Sequence, residues 1–450
     1  MRHYTAPLRD IRFVMVELLD FDAHYRSLGD SPAADPELVY SVTEAYAHFC
    51  EKILAPLNPL GDEQGCQWEK GQVTTTPGFR EAYQQHVRDG WSALAGDPAH
   101  GGQGFPPSLR TVLGEMAGAA NMAWHIYVIA CHGAIDTLAT HGSTEQREQY
   151  LRRLVEGSWT ATMCLTESQC GSDLGLIRTR ATPAENGAFL VAGTKIFISC
   201  GEHDLTDNII HIVLARMPGA PSGTAGLSLF VVPKFGVGPD GRPGERNSVY
   251  CGSIEQKMGI HGNATCVMHF EDAQGYLVGE PNRGLAAMFT FMNSARLATG
   301  MQGLSHAELG YQKSLAYTRG RLQGSAPASQ RRRGSAADPI IVHPDVRRML
   351  MIQKSIVEGC RAFNYFLAQQ IDLAHLAADE ATRKTARDTL DLLTPISKAF
   401  CSELGFESAN LALQCFGGHG YIREWGVEQN VRDARIAALY EGTTGIQALD

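Results

Sequence analysis

The chain has 450 residues, 44% of them hydrophobic and 19% charged, a composition that excludes a disordered chain and allows two or three domains around large cores. A formal net charge of −9 argues against a nucleic-acid binder, though an acidic protein can still carry a local basic site. The eleven cysteines show no C-x-x-C pair and no regular spacing, so neither a metal nor a disulfide framework is indicated; Cys131, Cys164 and Cys360 sit in apolar runs, as reduced thiols of a cytoplasmic protein do.

The N-terminus mixes Arg9, Asp10 and Arg12 with apolar residues, which predicts no signal peptide. No apolar stretch reaches the roughly 20 residues a membrane span needs. Arg12 to Asp20 reads as a short amphipathic helix, followed by the breakers Gly29, Pro32 and Pro36, and residues 1–35 are set apart as an N-terminal extension. Helical periodicity resumes at Leu38 and runs to Leu54. After a loop rich in Gly and Pro, Leu109 to Leu138 predicts a long apolar helix carrying Met116, Met122, Trp124, Ile126 and Ile129. Ser143-Thr-Glu-Gln146 is a capping box opening another helix, which Gly157 ends. Residues 1–158 are therefore expected to form an N-terminal helical domain.

At Trp159 the pattern changes. Thr160 to Leu165, Phe189 to Ala192, Lys195 to Ser199, Ile209 to Val213, Leu227 to Val232 and Thr265 to Phe270 are short, rich in β-branched residues and bounded by turn formers. No long helical pattern interrupts them, so residues 159–275 predict a compact antiparallel barrel or sandwich. Helices return from about Gly284. Met349, Ile352, Ile356, Cys360, Phe363 and Leu367 form one stripe at spacings of three and four, and Thr394 to Gln414 is a second helix, stopped at Gly417-Gly418. Gln323 to Asp338, with Arg331-Arg332-Arg333, reads as a mobile surface loop. The expected fold is multi-domain α+β: helical domain, central β domain, then a helical bundle over 281–450.

Near the end stands Glu441. Ile436 to Tyr440 reads as a buried helix or its last turn, and Gly442 permits a sharp exit. Desolvation of a carboxylate at such a place raises its pKa towards neutrality, where a general base works best. The alternative is a solvated glutamate beside a helix stop.

Taken together, these segments resemble the acyl-CoA dehydrogenase family over essentially the whole chain. Met163-Cys-Leu-Thr-Glu-Ser-Gln-Cys-Gly-Ser-Asp173 is similar to the family's first flavin signature, and the resemblance implies contacts from Met163, Leu165 and Thr166 to the ring of FAD. It implies Gly171 and Ser172 at the pyrophosphate or at the bound acyl-CoA. Lys195 to Gly201 resembles K-x-W-I-T-N-G, with Phe197 in place of the Trp that packs on the flavin and Ser199 in place of the Thr; an ordinary core aromatic is the other reading of Phe197. Arg319, with Arg321 as the fallback, resembles the arginine that reaches the pyrophosphate of a neighbouring subunit's FAD, a phosphate partner that keeps its charge. Gln414, Gly417 and Gly418 resemble Q-x-x-G-G-x-G, implying contact with the adenine half across a dimer interface. Tyr440-Glu-Gly-Thr443 resembles Y-E-G-T, whose Glu is the base, so Glu441 is implied as catalytic, Thr443 as a flavin contact, and Ser172 and Tyr440 as substrate contacts.

The resemblance implies α,β-dehydrogenation of an acyl-CoA, with an electron-transfer flavoprotein as acceptor, in a homodimer or tetramer. Tyr4 to Phe13, Tyr250 to Met268 and Gly279 to Gly284 are most similar to the branch acting on 3-methylmercaptopropionyl-CoA, from dimethylsulfoniopropionate breakdown. Cys266 stands where many members have an arginine near the substrate. Members of that branch continue past the Y-E-G-T segment, so the chain is expected to lack a C-terminal part. The rival expectations are an acyl-CoA oxidase-like flavoenzyme and a dimerising remnant without catalysis.

Overall fold

A computed structural model of the chain describes residues 4–29, 34–238, 240–327 and 336–450. The Arg331 to Arg333 run lies outside the described residues.

The N-terminal region is helical. Asp35 caps the helix Pro36–Phe49 by accepting from the Glu37 amide, and Pro36 occupies the first turn, where its missing N–H costs nothing. The long apolar helix is α1, Ser108–His141, but it is not continuous. Asn121 leaves helical geometry at φ −161°, and its Oδ1 accepts from the Trp124 amide, capping the second half as a new helix. The Ser143 capping box forms as expected, with both reciprocal hydrogen bonds present. Gly157 ends the following helix at φ +79°.

The central strands are β1 Thr160–Cys164, β2 Arg180–Pro183, β3 Phe189–Ser199, β4 Ile209–Arg216, β5 Leu227–Pro233, β6 Val249–Ile254 and β7 Thr265–Val278. β7 pairs with β3 through its first part and with β5 through its last residues; β3 pairs with β2, β2 with β4 and β4 with β5, so the sheet closes into a barrel. Two pairings depart from the expected antiparallel pattern, one of them that of β2 with β4, parallel at Arg180 opposite Arg216. β1 runs parallel to β4, from Thr160 opposite Ile209 to Cys164 opposite Val213. The chain between them carries β2 and β3, so it returns to the same end rather than turning back as a hairpin. Phe189 to Ala192 and Lys195 to Ser199 are one strand, and β2 and β6 were not foreseen.

The C-terminal bundle comprises α2 Gly284–Gly320, α3 Pro344–Leu376 and α4 Glu380–Phe416, then the short α5 Val427–Ala434 and α6 Thr444–Leu449. α2 packs against α1, α3 and α4. Their shared core holds a buried ion network: Arg361 Nε donates to Glu115 Oε1 at 2.9 Å and its Nη2 to Glu308 Oε2 at 2.6 Å, while the Tyr365 hydroxyl donates to Glu115 Oε2 at 2.8 Å. Such a network ties three helices in one register. No helix among the described residues is long and apolar enough to cross a membrane.

Candidate active site

The candidate residues lie on two loops, one from the barrel and one from the bundle. The first follows β1. Its Glu167 is buried and accepts from the amides of Arg178 and Thr179, from the Thr179 hydroxyl and from Lys195 Nζ at 2.9 Å. Lys195, fully buried on β3, also donates to the Leu165 carbonyl at 2.9 Å. The Ile196 amide donates to the Thr166 carbonyl at 2.8 Å. Leu165 and Thr166 are thereby pinned to β3 with Thr166 half-buried. Burial pushes the Glu167 carboxyl up, but Lys195 and the donors outweigh it and hold it down at about 2.

On β3 the register slips: Ile198 faces Cys266 and Lys195 faces Met268, so Ile196 and Phe197 oppose Val267 alone. This β-bulge puts Phe197 at φ +59°, a left-handed conformation costly for an aromatic residue, and turns its ring outwards, 59% exposed. The reading of Phe197 as a core aromatic is excluded. Ser199 is half-buried beside it. Cys266 is wholly buried inside the barrel and offers nothing to a ligand there.

The second loop carries Glu441. After α5 the chain makes a short 3-10 turn, Arg435–Ala438, then leaves helical geometry. Here the structure corrects the expected buried helix end: Ala437 is buried, but Leu439 is 48% exposed because the helix has already finished. Glu441 and Gly442 are both left-handed, at φ +55° and +86°. The turn is held from two sides. Gln447 Nε2 donates to the Glu441 carbonyl at 2.8 Å and the Gly442 carbonyl at 3.2 Å, and Lys398 Nζ of α4 donates to the Gly442 carbonyl at 2.5 Å. The Tyr440 hydroxyl donates to Gln302 Oε1 of α2 at 2.5 Å. Ile436, in the 3-10 turn before Tyr440, packs against the buried cluster that includes Cys200, the neighbour of Ser199.

The Glu441 carboxylate accepts no hydrogen bond among the described residues, and neither does its backbone amide donate one. Burial raises its pKa to about 7, against the opposing pull of Lys398 and Arg296. Gln302 also lines a cavity of about 110 Å³ between α1, α2 and α3, bounded mainly by apolar residues such as Met122, Ile129, Leu297 and Met301. Its Nε2 is buried without a partner among the described residues.

The remaining sequence-selected residues distribute as follows. Met163 is half-buried against the barrel core, while Gly171 and Ser172 are exposed and a Cβ at Gly171 would meet only a Thr166 methyl carbon at 4.0 Å. Thr443 is exposed and caps α6 through the Ile446 amide. Arg319, Arg321, Gln414, Gly417 and Gly418 form a separate exposed group at the far ends of α2 and α4. No hydrogen bond or ion pair among the described residues joins them to the Glu441 loop or to the loop after β1. A Cβ at Gly417 or Gly418 would meet nothing within 4 Å. Lys398, Arg296, Gln302 and Gln447 were not singled out from the sequence. Glu167 and Lys195 lay inside quoted motifs, but only their pairing across 28 positions reveals their part.

Three family models match: the acyl-CoA dehydrogenase N-terminal domain over residues 42–158, the middle domain over 162–273 and the C-terminal domain over 282–450. The chain is 44% identical to a 3-methylmercaptopropionyl-CoA dehydrogenase from Ruegeria pomeroyi, over 99% of this chain and 75% of that one. It is 34% identical to a butyryl-CoA dehydrogenase from Syntrophomonas wolfei, over 100% and 75%. Its fold is similar to that of the butyryl-CoA dehydrogenase from Megasphaera elsdenii, with a TM-score of 0.75 at 24% identity, covering 94% of this chain and 97% of that one. These proteins are FAD-dependent. The residues present fit such a group: an aromatic ring turned outwards by a bulge, a half-buried threonine, and a glycine and a serine with open space before them.

Proposed function

The chain belongs to the acyl-CoA dehydrogenase family, and on that premise we propose that it converts 3-methylmercaptopropionyl-CoA to methylthioacryloyl-CoA with Glu441 as the base. FAD-dependent dehydrogenation of an acyl-CoA is the activity of the family and of this chain. The 44% identity to the Ruegeria pomeroyi enzyme supports the thioether substrate. The assignment of the base is carried by one observation: a carboxylate without a hydrogen-bond donor, raised to about 7, held in a left-handed turn that Tyr440 ties to a cavity-lining helix.

In this reading Glu441 takes the α-proton as the α,β double bond forms. The free amide of Glu441 donates to the thioester carbonyl, stabilising the charge that develops on it. FAD supplies the acceptor for the β-hydride. Phe197, Met163, Leu165, Thr166, Ser199 and Thr443 hold the flavin ring, and Gly171 and Ser172 hold its pyrophosphate or the substrate, with Tyr440 as a further substrate contact. Arg319, Gln414, Gly417 and Gly418 serve the FAD of a partner in a cytoplasmic homodimer, and an electron-transfer flavoprotein receives the electrons. The exposure of these four residues supports that role.

The test is anaerobic titration of the flavin-loaded protein with a panel of acyl-CoAs. The expected result is fastest bleaching with 3-methylmercaptopropionyl-CoA. Faster bleaching with butyryl-CoA overturns the substrate assignment and leaves the reaction class standing.

A further inference from the structure

Lys398 is fully buried on α4, yet among the described residues its Nζ forms no ion pair with a carboxylate. Its hydrogen bond goes to the Gly442 carbonyl, in the residue after the base. A buried ammonium without a counter-charge is expensive, so its position needs an explanation. The charged groups facing it are Glu441, Arg296 of α2 and Glu403 of α4. Glu403 is turned to the Thr444 hydroxyl, which donates to it at 2.6 Å. Arg296 is itself committed to Asp450 at 2.5 Å. Among the described residues, the Glu441 carboxylate is thus the one anion facing Lys398 that no other group engages.

We propose that Lys398 is a positioning residue for the base: it clamps the Gly442 carbonyl, fixing the left-handed turn, and supplies the buried positive charge that keeps the Glu441 carboxylate available in its ionised form. This inference rests on Glu441 being the base. Two features of the site support it. The same burial that pushes Glu441 up to about 7 pushes Lys398 down to about 8, so near neutrality the two groups are charged in opposite senses and each supports the other. Lys398 and Arg296 are also the two positive charges that oppose the effect of burial on Glu441.

Lys398→Gln retains a donor for the Gly442 carbonyl and removes the charge; Lys398→Arg retains both. Two readouts apply: the acid limb of the rate of anaerobic flavin reduction, and the infrared carboxyl band of Glu441, identified by its loss in Glu441→Gln. In Lys398→Gln both midpoints move up by about one pH unit, a tenfold loss of rate below the midpoint, with recovery at high pH; Lys398→Arg stays near the unmodified protein. A uniform loss of rate with unmoved midpoints overturns the proposal, because a merely structural lysine gives that result. Should Lys398→Gln not fold, the reciprocal measurement decides: nitrogen-15 NMR of lysine in Glu441→Gln shows Lys398 titrating lower than in the unmodified protein, and an unchanged titration overturns the proposal. Absence of dehydrogenation in the unmodified protein counts against the function above, while the infrared and lysine titrations still test the charge coupling.

Discussion

Two fully buried lysines, one in the barrel and one in the bundle, each answer to a glutamate, yet the glutamates end in opposite states. Lys195 touches Glu167 directly, and backbone amides and a hydroxyl complete the carboxylate's hydrogen bonds, so Glu167 is held at about 2. Lys398 stops at a carbonyl one residue beyond Glu441, and the Glu441 carboxylate, without a donor of its own, sits at about 7. Burial acts in the same direction on both. Direct hydrogen bonding separates them, and it makes one pair a fastener and the other a base poised near neutral pH.

The comparison can be broken at its reactive end first. Glu441→Gln should lower the rate of anaerobic flavin reduction by about 10²–10⁴-fold while flavin remains bound, read by stopped-flow absorbance. At the structural end, Lys195→Met leaves Glu167 buried without its cation. The expected cost is about 3–5 kcal/mol in chemical denaturation, with flavin retention weakened because Leu165 loses its anchor. The pH dependence of stability then sharpens the contrast, since the signs differ. Glu167 has a folded pKa below its ordinary 4.5, so its contribution is present above that value and is lost as pH falls towards 2. Glu441 has a folded pKa above 4.5, so stability declines as pH rises from there through about 7. Glu441→Gln should accordingly match the parent protein at pH 4 and exceed it by about 1–3 kcal/mol at pH 8 in denaturation curves. The smallest effect is expected at Phe197→Ala, which removes one stacking surface and should weaken flavin binding by about 0.5–1.5 kcal/mol in fluorescence titration.

Much of this frame was legible in the sequence because its signals are local. The Ser143 capping box, the Gly157 stop and the α3 stripe each lie within a few turns of chain, and the flavin-family motifs are contiguous. Other features depend on pairings across long separations. The parallel β1–β4 pairing and the closure of β7 onto β5 have no counterpart in any short window. Asn121 is one polar residue within an apolar run, and only its bond to the Trp124 amide shows that it starts a second helix. Leu439 continued an apolar run and was read as buried, whereas the helix ends before it. Lys398 was passed over because its partner, Gly442, is 44 positions away. The Arg361 network escaped for the same reason: its glutamates lie on two other helices.

The central claim is that the Glu441 carboxylate removes the α-proton of a bound thioester. Exchange of that proton into deuterated solvent, followed by NMR or mass spectrometry on an acyl-CoA analogue that cannot lose a β-hydride, tests it without relying on oxidation. The flavin-loaded protein should exchange the α-hydrogen readily, and Glu441→Gln should do so at least about 100-fold more slowly. Exchange at an undiminished rate in Glu441→Gln would contradict the account.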